Sequence, residues 1–299
     1  MAPPSLGAPT KRWAHHGGEV RVYTHASSST ATPMTFAVFM PARALAAGAA
    51  TGSVPVIYWL SGLTCSWENF STKGGAFAAA AAAGVAVVAP DTSPRGAGVA
   101  GETAAWSLGA GAGFYVDATT PGWSAHYNMA SYVVAELPAL LASELPVLAA
   151  STKRSIMGHS MGGLGAISLS LRNPGAFAAV SAFAPISHPS AGPWGRAAYT
   201  AFLGADEAAW AAYDPTDLVA AYAGPPLRIA IEQGTADEWL AAELLPRDFL
   251  AAAARAKAAG VPLEITYAER DGYDHSYWFV STFVAEHIAA HAAALAAAK

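Results

Sequence analysis

Between an apolar run at residues 154–157 and a helix-forming run at 161–172 lies Gly158-His159-Ser160-Met161-Gly162, a serine with glycines two before and two after it. A strand that turns straight into a helix leaves no room for a Cβ at either glycine. It also holds the serine in a strained backbone conformation with its hydroxyl aimed outward, as a nucleophile must be. The serine then sits at a helix N-terminus, where unpaired N–H groups favour negative charge. Five residues are a weak pattern in a chain with 28 glycines. Its place between strand and helix, with Gly163 as a third glycine for close packing, is what gives it weight.

The rest of the chain supplies neighbours for that strand and helix. Residues 20–23 and 35–40 read as an opening antiparallel pair. Buried strands are expected at 54–60, 85–89, 154–157, 179–183, 227–231 and 263–267. Helices are expected at 70–83, 129–148, 161–172, 247–259 and 276–298, with Asn173-Pro174 stopping the third. Such alternation predicts an α/β fold, a mostly parallel central sheet with helices on both faces. Functional groups in these sheets sit on loops at the carboxyl ends of strands. No repeat or long linker divides the chain, so residues 1–299 read as a single domain, with 1–17 a loosely ordered N-terminal extension.

Composition excludes several partners. Apolar residues make up 54%, but alanine-rich stretches at 43–50, 76–83 and 289–298 mean that this figure overstates the core. The net charge is −5 with no basic stripe, which argues against nucleic acid. The longest apolar run, 76–89, is broken by Gly84 and is shorter than the roughly 18 residues a membrane span needs. Residues 1–20 hold no apolar run of signal-peptide length, so a soluble intracellular chain without a membrane partner is expected. The single cysteine, Cys65, cannot form an internal disulfide and suits a reducing compartment.

A serine hydroxyl needs a base to take its proton. Of nine histidines, His15, His16 and His25 precede the core strands, and His126 and His188 lie in loops. His159 adjoins the serine and should point away from it. His287 and His291 are spaced i, i+4 on the last helix with no third metal ligand evident, and they read as an ordinary helix face. His275 lies in Asp271-Gly272-Tyr273-Asp274-His275-Ser276, after the last strand and before the last helix. That is the loop from which such a sheet presents its histidine. With the chain order Ser, Asp/Glu, His, the acid belongs after the strand at 227–231. Asp237 is the first choice there and Glu238 its nearest rival, whereas Asp214 and Asp217 come too early.

An acyl transfer also needs two N–H groups for the developing oxyanion. One is that of Met161, the residue after the serine. The second comes from the loop that ends the strand at 54–60, where Gly62 lets the backbone turn and Leu63 offers its N–H. Cys65, Trp106 and His159 are candidates for the substrate pocket.

Several segments together resemble the S-formylglutathione hydrolase (esterase D) family. These are Tyr58-Trp59-Leu60-Ser61-Gly62-Leu63-Thr64-Cys65 with Glu68-Asn69-Phe70, Gly111-Ala112-Gly113-Phe114-Tyr115-Val116-Asp117-Ala118-Thr119, Gly158-His159-Ser160-Met161-Gly162-Gly163 and Gly272-Tyr273-Asp274-His275-Ser276-Tyr277. The resemblance spans about Gly18 to His291. It implies an α/β-hydrolase fold and hydrolysis of S-formylglutathione to glutathione and formate. It also implies Ser160, Asp237 and His275 as a triad, Leu63 and Met161 as oxyanion donors, Cys65 near the nucleophile, no cofactor or metal, and a cytoplasmic homodimer. The chain departs from the family at Thr103 and Ala104, where acidic residues are usual, at Asn128 in place of arginine, and at Leu164 in place of histidine. None of these touches the triad; the loss of acidic groups at Thr103 and Ala104 bears on how a glutathione ammonium is held. The alternatives are a general short-chain carboxylesterase or acyltransferase on the same fold, or a non-catalytic binding protein on a hydrolase scaffold.

Overall fold

The apolar runs, with one exposed segment at the edge, pair into a nine-stranded sheet. The computed structural model describes residues 6–150 and 152–298. The strands are β1 (Lys11–His15), β2 (Gly18–Ala26), β3 (Pro33–Met40), β4 (Val56–Leu60), β5 (Ala86–Pro90), β6 (Arg154–His159), β7 (Val180–Phe183), β8 (Leu227–Gly234) and β9 (Leu263–Arg270). Their order is β1-β2-β3-β5-β4-β6-β7-β8-β9. The first three and β5 pair antiparallel, and everything from β5 to β9 is parallel. All five residues of β4 are buried, as expected of a parallel strand covered on both faces.

The α-helices of seven residues or more are α1 (Trp67–Lys73), α2 (Phe77–Ala83), α3 (Leu137–Glu144), α4 (Met161–Arg172), α5 (Pro193–Leu203), α6 (Pro215–Ala221), α7 (Pro246–Ala258) and α8 (Tyr277–Ala297). One group, α1, α2 and α8, packs together and onto β3, β5, β6 and β7. The other, α4, α6 and α7, packs onto β4, β6, β7 and β9. Residues 161–171 of α4 are all buried, so the helix behind the serine is a core element.

Four expectations about the elements differ from the structure. Lys11–His15, inside the segment read as a loose extension, is an edge strand paired antiparallel with β2. Its five exposed residues show no alternation, so nothing in the pattern marked it as a strand. The helix expected at 70–83 is two helices, because Gly75 has φ +69° between them. A capping box between Ser66 and Asn69 starts the first. The helix expected at 129–148 ends at Glu144 and is preceded by a π-type turn at Tyr132–Glu136. Finally, α5 and α6 were not anticipated. Each begins with proline at its first turn, after Gly192 and Asp214 respectively; α5 buries Gly195, Ala198, Tyr199, Phe202 and Leu203 along one stripe, whereas the short α6 buries only Pro215 and Val219. Among the described residues α8 alone has the length and composition of a membrane span, yet Phe279, Val280, Val284, Ile288 and Leu295 bury its inner side.

Candidate active site

The carboxyl ends of β4, β6, β8 and β9 converge. Ser160 follows β6 directly with φ 58° and ψ −121°, a conformation that costs a non-glycine residue about 1–3 kcal/mol. Two glycines make it possible. A Cβ on Gly158 would lie 2.2 Å from the Gly162 carbonyl oxygen, and one on Gly162 would lie 1.9 Å from that of Leu60. The Ser160 N–H donates to the Phe183 carbonyl at 2.9 Å, so β7 holds the turn.

His275 Nε2 is 2.9 Å from Ser160 Oγ, and His275 Nδ1 is 2.6 Å from Asp237 Oδ2. The second Asp237 oxygen accepts the Trp239 N–H at 2.9 Å. Asp237 is buried while Glu238, the alternative acid, is exposed. The two loops are sewn together: Thr235 N–H donates to Arg270 and Ala236 N–H to Tyr273. That approach requires glycine at 234, where a Cβ would lie 2.2 Å from the Tyr273 carbonyl oxygen.

No hydrogen bond joins the His159 ring to the Ser160 hydroxyl, although both face the same cleft. The His159 ring centroid lies 4.6 Å from that of His275. Burial, with the neighbouring His275 adding to it, holds His159 well below the ordinary histidine value, so it stays neutral. The Gly62 backbone runs against the nucleophile, since a Cβ there would be 3.0 Å from Ser160 Cβ. Leu63 N–H has no acceptor among the described residues. Met161 opens α4, where an N–H has no intrahelical partner. The Leu63 loop is pinned by Thr64 N–H to Gly111, by Tyr115 OH to Ser61, and by Thr92 and Arg95, which both donate to the Cys65 carbonyl.

These groups open on a cleft of about 250 Å³. Trp106, Trp194 and Trp239 line it, with Trp106 edge-on to Trp194 at 5.1 Å and Trp194 4.6 Å from Trp239. Trp106 is 53% exposed and forms part of the rim. Cys65 and Tyr277 also line the cleft. Burial pushes the Cys65 thiol above its ordinary value, so it is not a ready thiolate. Sequence reasoning singled out Trp106 and missed Trp194 and Trp239. Trp239 stands two residues past Asp237, and that nearness to the acid is its signal in the sequence. Trp194 comes from a helix that carried no motif. None of the four departures lines the cleft. Thr103 and Ala104 are exposed, Leu164 is buried in α4, and Asn128 donates to the Ser29 and Ser124 carbonyls.

A mostly parallel sheet presenting serine, histidine and aspartate in hydrogen-bond contact at its strand ends defines an esterase of the α/β-hydrolase class. A family model described as "Putative esterase" matches residues 27–290. S-formylglutathione hydrolase of Bos taurus is 47% identical over 271 residues, covering 90% of this chain and 92% of that one. The enzyme of that name from Paracoccus denitrificans is 46% identical, covering 90% and 91%. A solved S-formylglutathione hydrolase from Agrobacterium tumefaciens superposes with a TM-score of 0.89 at 42% identity, covering 97% of this chain and 100% of the other. The chain belongs to the S-formylglutathione hydrolase family.

Proposed function

We propose that the chain hydrolyses S-formylglutathione to glutathione and formate, with Ser160, His275 and Asp237 as its relay. The observation that carries this reading is the unbroken hydrogen-bond chain from Ser160 Oγ through His275 to Asp237 beside a small cleft. Ser160 Oγ attacks the formyl carbon as His275 Nε2 takes its proton. Asp237 holds the Nδ1–H and stabilises the imidazolium without taking up the proton. The oxyanion rests on the Leu63 and Met161 N–H groups. The C–S bond breaks, and the glutathione sulfur leaves with the proton that His275 carried. Water then attacks the formyl-serine, His275 again serving as base, and formate is released.

A cleft of about 250 Å³ walled by three tryptophans favours a small acyl group such as formyl over longer ones. A cytoplasmic homodimer belongs to the same reading: a lone cysteine suits a reducing compartment, and sedimentation would report the dimer. Ser160→Ala should abolish turnover of S-formylglutathione and of a short aryl ester while far-UV circular dichroism stays native. Retained turnover would overturn the assignment. Rates on formyl-, acetyl- and lactoyl-glutathione define the acyl group, and a preference for long chains would point to a general carboxylesterase instead.

A further inference from the structure

Gln233 lies near the end of β8, four residues before Asp237, and is 1% exposed. Its amide nitrogen is 3.2 Å from Asp237 Oδ2 and 3.2 Å from the Gly234 carbonyl oxygen. A primary amide has two N–H groups, and here each has an acceptor. The opposite flip would set the amide oxygen against a carboxylate and a carbonyl together, so the donor assignment follows from the network. The amide oxygen, by contrast, is buried with no partner among the described residues. A buried unpaired carbonyl is costly, and a methionine of similar volume would avoid it. The chain instead keeps a side chain that leaves one hydrogen bond unmade in order to aim its amide at Asp237.

We propose that Gln233 is a positioning residue: it holds the Asp237 carboxylate in the plane of His275 and tempers its pull on the imidazolium. This rests on the reading of Asp237 as the relay acid. Asp237 Oδ2 is shared between His275 Nδ1 at 2.6 Å and Gln233 Nε2 at 3.2 Å, while Oδ1 is held by Trp239 N–H. Three donors therefore fix the carboxylate. Removing the amide leaves it free to rotate, which slows the chemical step. It also leaves more of its charge facing His275, which favours the protonated ring over a wider range of pH. Activity needs the unprotonated ring, so the acid limb of kcat/KM moves to higher pH. The other titratable groups nearby are His159, neutral by burial, the preceding Asp274, Glu238, which lines a hollow with His275, Tyr277, whose phenol burial keeps neutral, and Glu232, which pairs with Arg270 and His287. None of them bonds to the Gln233 amide.

Gln233→Met keeps the volume and removes the donors. Its kcat on S-formylglutathione should fall about tenfold with KM nearly unchanged, as loss of a hydrogen bond to a charged group would produce. Its acid limb should rise by roughly half a pH unit. A native kcat and profile would overturn the proposal. So would a lower kcat with an unmoved acid limb, the result of packing loss alone. Gln233→Glu is the second variant and decides the matter if the methionine form does not fold. Its protonated carboxyl can donate to Asp237 as the amide does, so the ratio of its activity to that of the native chain at the same pH should approach one at low pH. It should then decline as pH rises and the two carboxylates repel. A ratio to native that stays constant with pH would overturn the proposal. Asp237→Asn run alongside separates the two readings. Native turnover there would mean that the relay itself is misassigned. Lost turnover there with native Gln233 variants would remove only the role given to Gln233.

Discussion

At the scale of single residues, the site is a matter of what each side chain is prevented from doing. Ser160 is kept out of ordinary backbone space by glycines that cannot be replaced without a Cβ striking a carbonyl oxygen. His159, one residue away, is kept uncharged by burial and so adds no like charge beside His275. Cys65 lines the cleft, yet burial keeps its thiol protonated through the neutral range. Alkylation needs the thiolate. Iodoacetamide should therefore label Cys65 slowly at neutral pH, with a rate that climbs only above the ordinary thiol range. Cys65→Ser should keep kcat within about threefold of native, since no step of the reaction passes through the sulfur. Fast labelling at pH 7, read by mass spectrometry, would show that the thiol is activated.

At the scale of elements, α8 does more than cover the sheet. His291 lies 2.8 Å from both Ser155 on β6 and Ser181 on β7, and His287 bridges Ser181 to Glu232 on β8. Arg270 on β9 pairs with the same glutamate at 3.0 Å. The pair expected to be an ordinary helix face is buried. Three of the strands it links, β6, β8 and β9, lead directly to Ser160, Asp237 and His275. Burial, with His287 adding to it, pushes His291 down to about 3. In the unfolded chain it takes up a proton near 6.5. Between those values the unfolded state binds the extra proton, so stability falls as pH drops from about 6.5 towards 3 and is unaffected by this group above that window. Denaturant midpoints measured from pH 4 to 8 should show this slope. A folded His291→Leu variant should lose much of it, and an unchanged slope would assign the acid sensitivity to other groups.

At the scale of the whole molecule, one edge of the sheet is built for shielding and the other half for chemistry. β1 is short, exposed and begins with Lys11 and Arg12, features that blunt an edge against pairing with another chain. The site draws on β4, β6, β8 and β9, the nearest of them four places along the sheet from β1. Deleting residues 1–16 should thus leave kcat/KM within about twofold, while lowering the melting temperature by a few degrees and exposing the β2 edge to aggregation. Calorimetry and turnover on the same preparation would separate the two effects. A loss of turnover matching the loss of stability would mean that the edge and the site are coupled.

How much of this was legible in the chain follows from the range of the interactions. Gly158, Ser160 and Gly162 are contiguous and meet one turn's steric demands, so their geometry is local and readable. The strand at 154–159, the Gly62 turn and the loop bearing His275 are readable for the same reason, each being an apolar run followed by its own punctuation. Asp237 and Glu238 are chemically alike and adjacent, and only the contacts of their loop with Arg270 and Tyr273 turn one of them inward and leave the other in solvent. His287 and His291 likewise acquire their surroundings from partners 55 to 136 residues away, and Trp194 from Trp106 and Trp239. The sequence by itself determined which turn could present a nucleophile. Tertiary structure alone decided which carboxylate meets His275, what walls the cleft and what holds the strands beneath it, because those depend on burial and distances that no local pattern encodes.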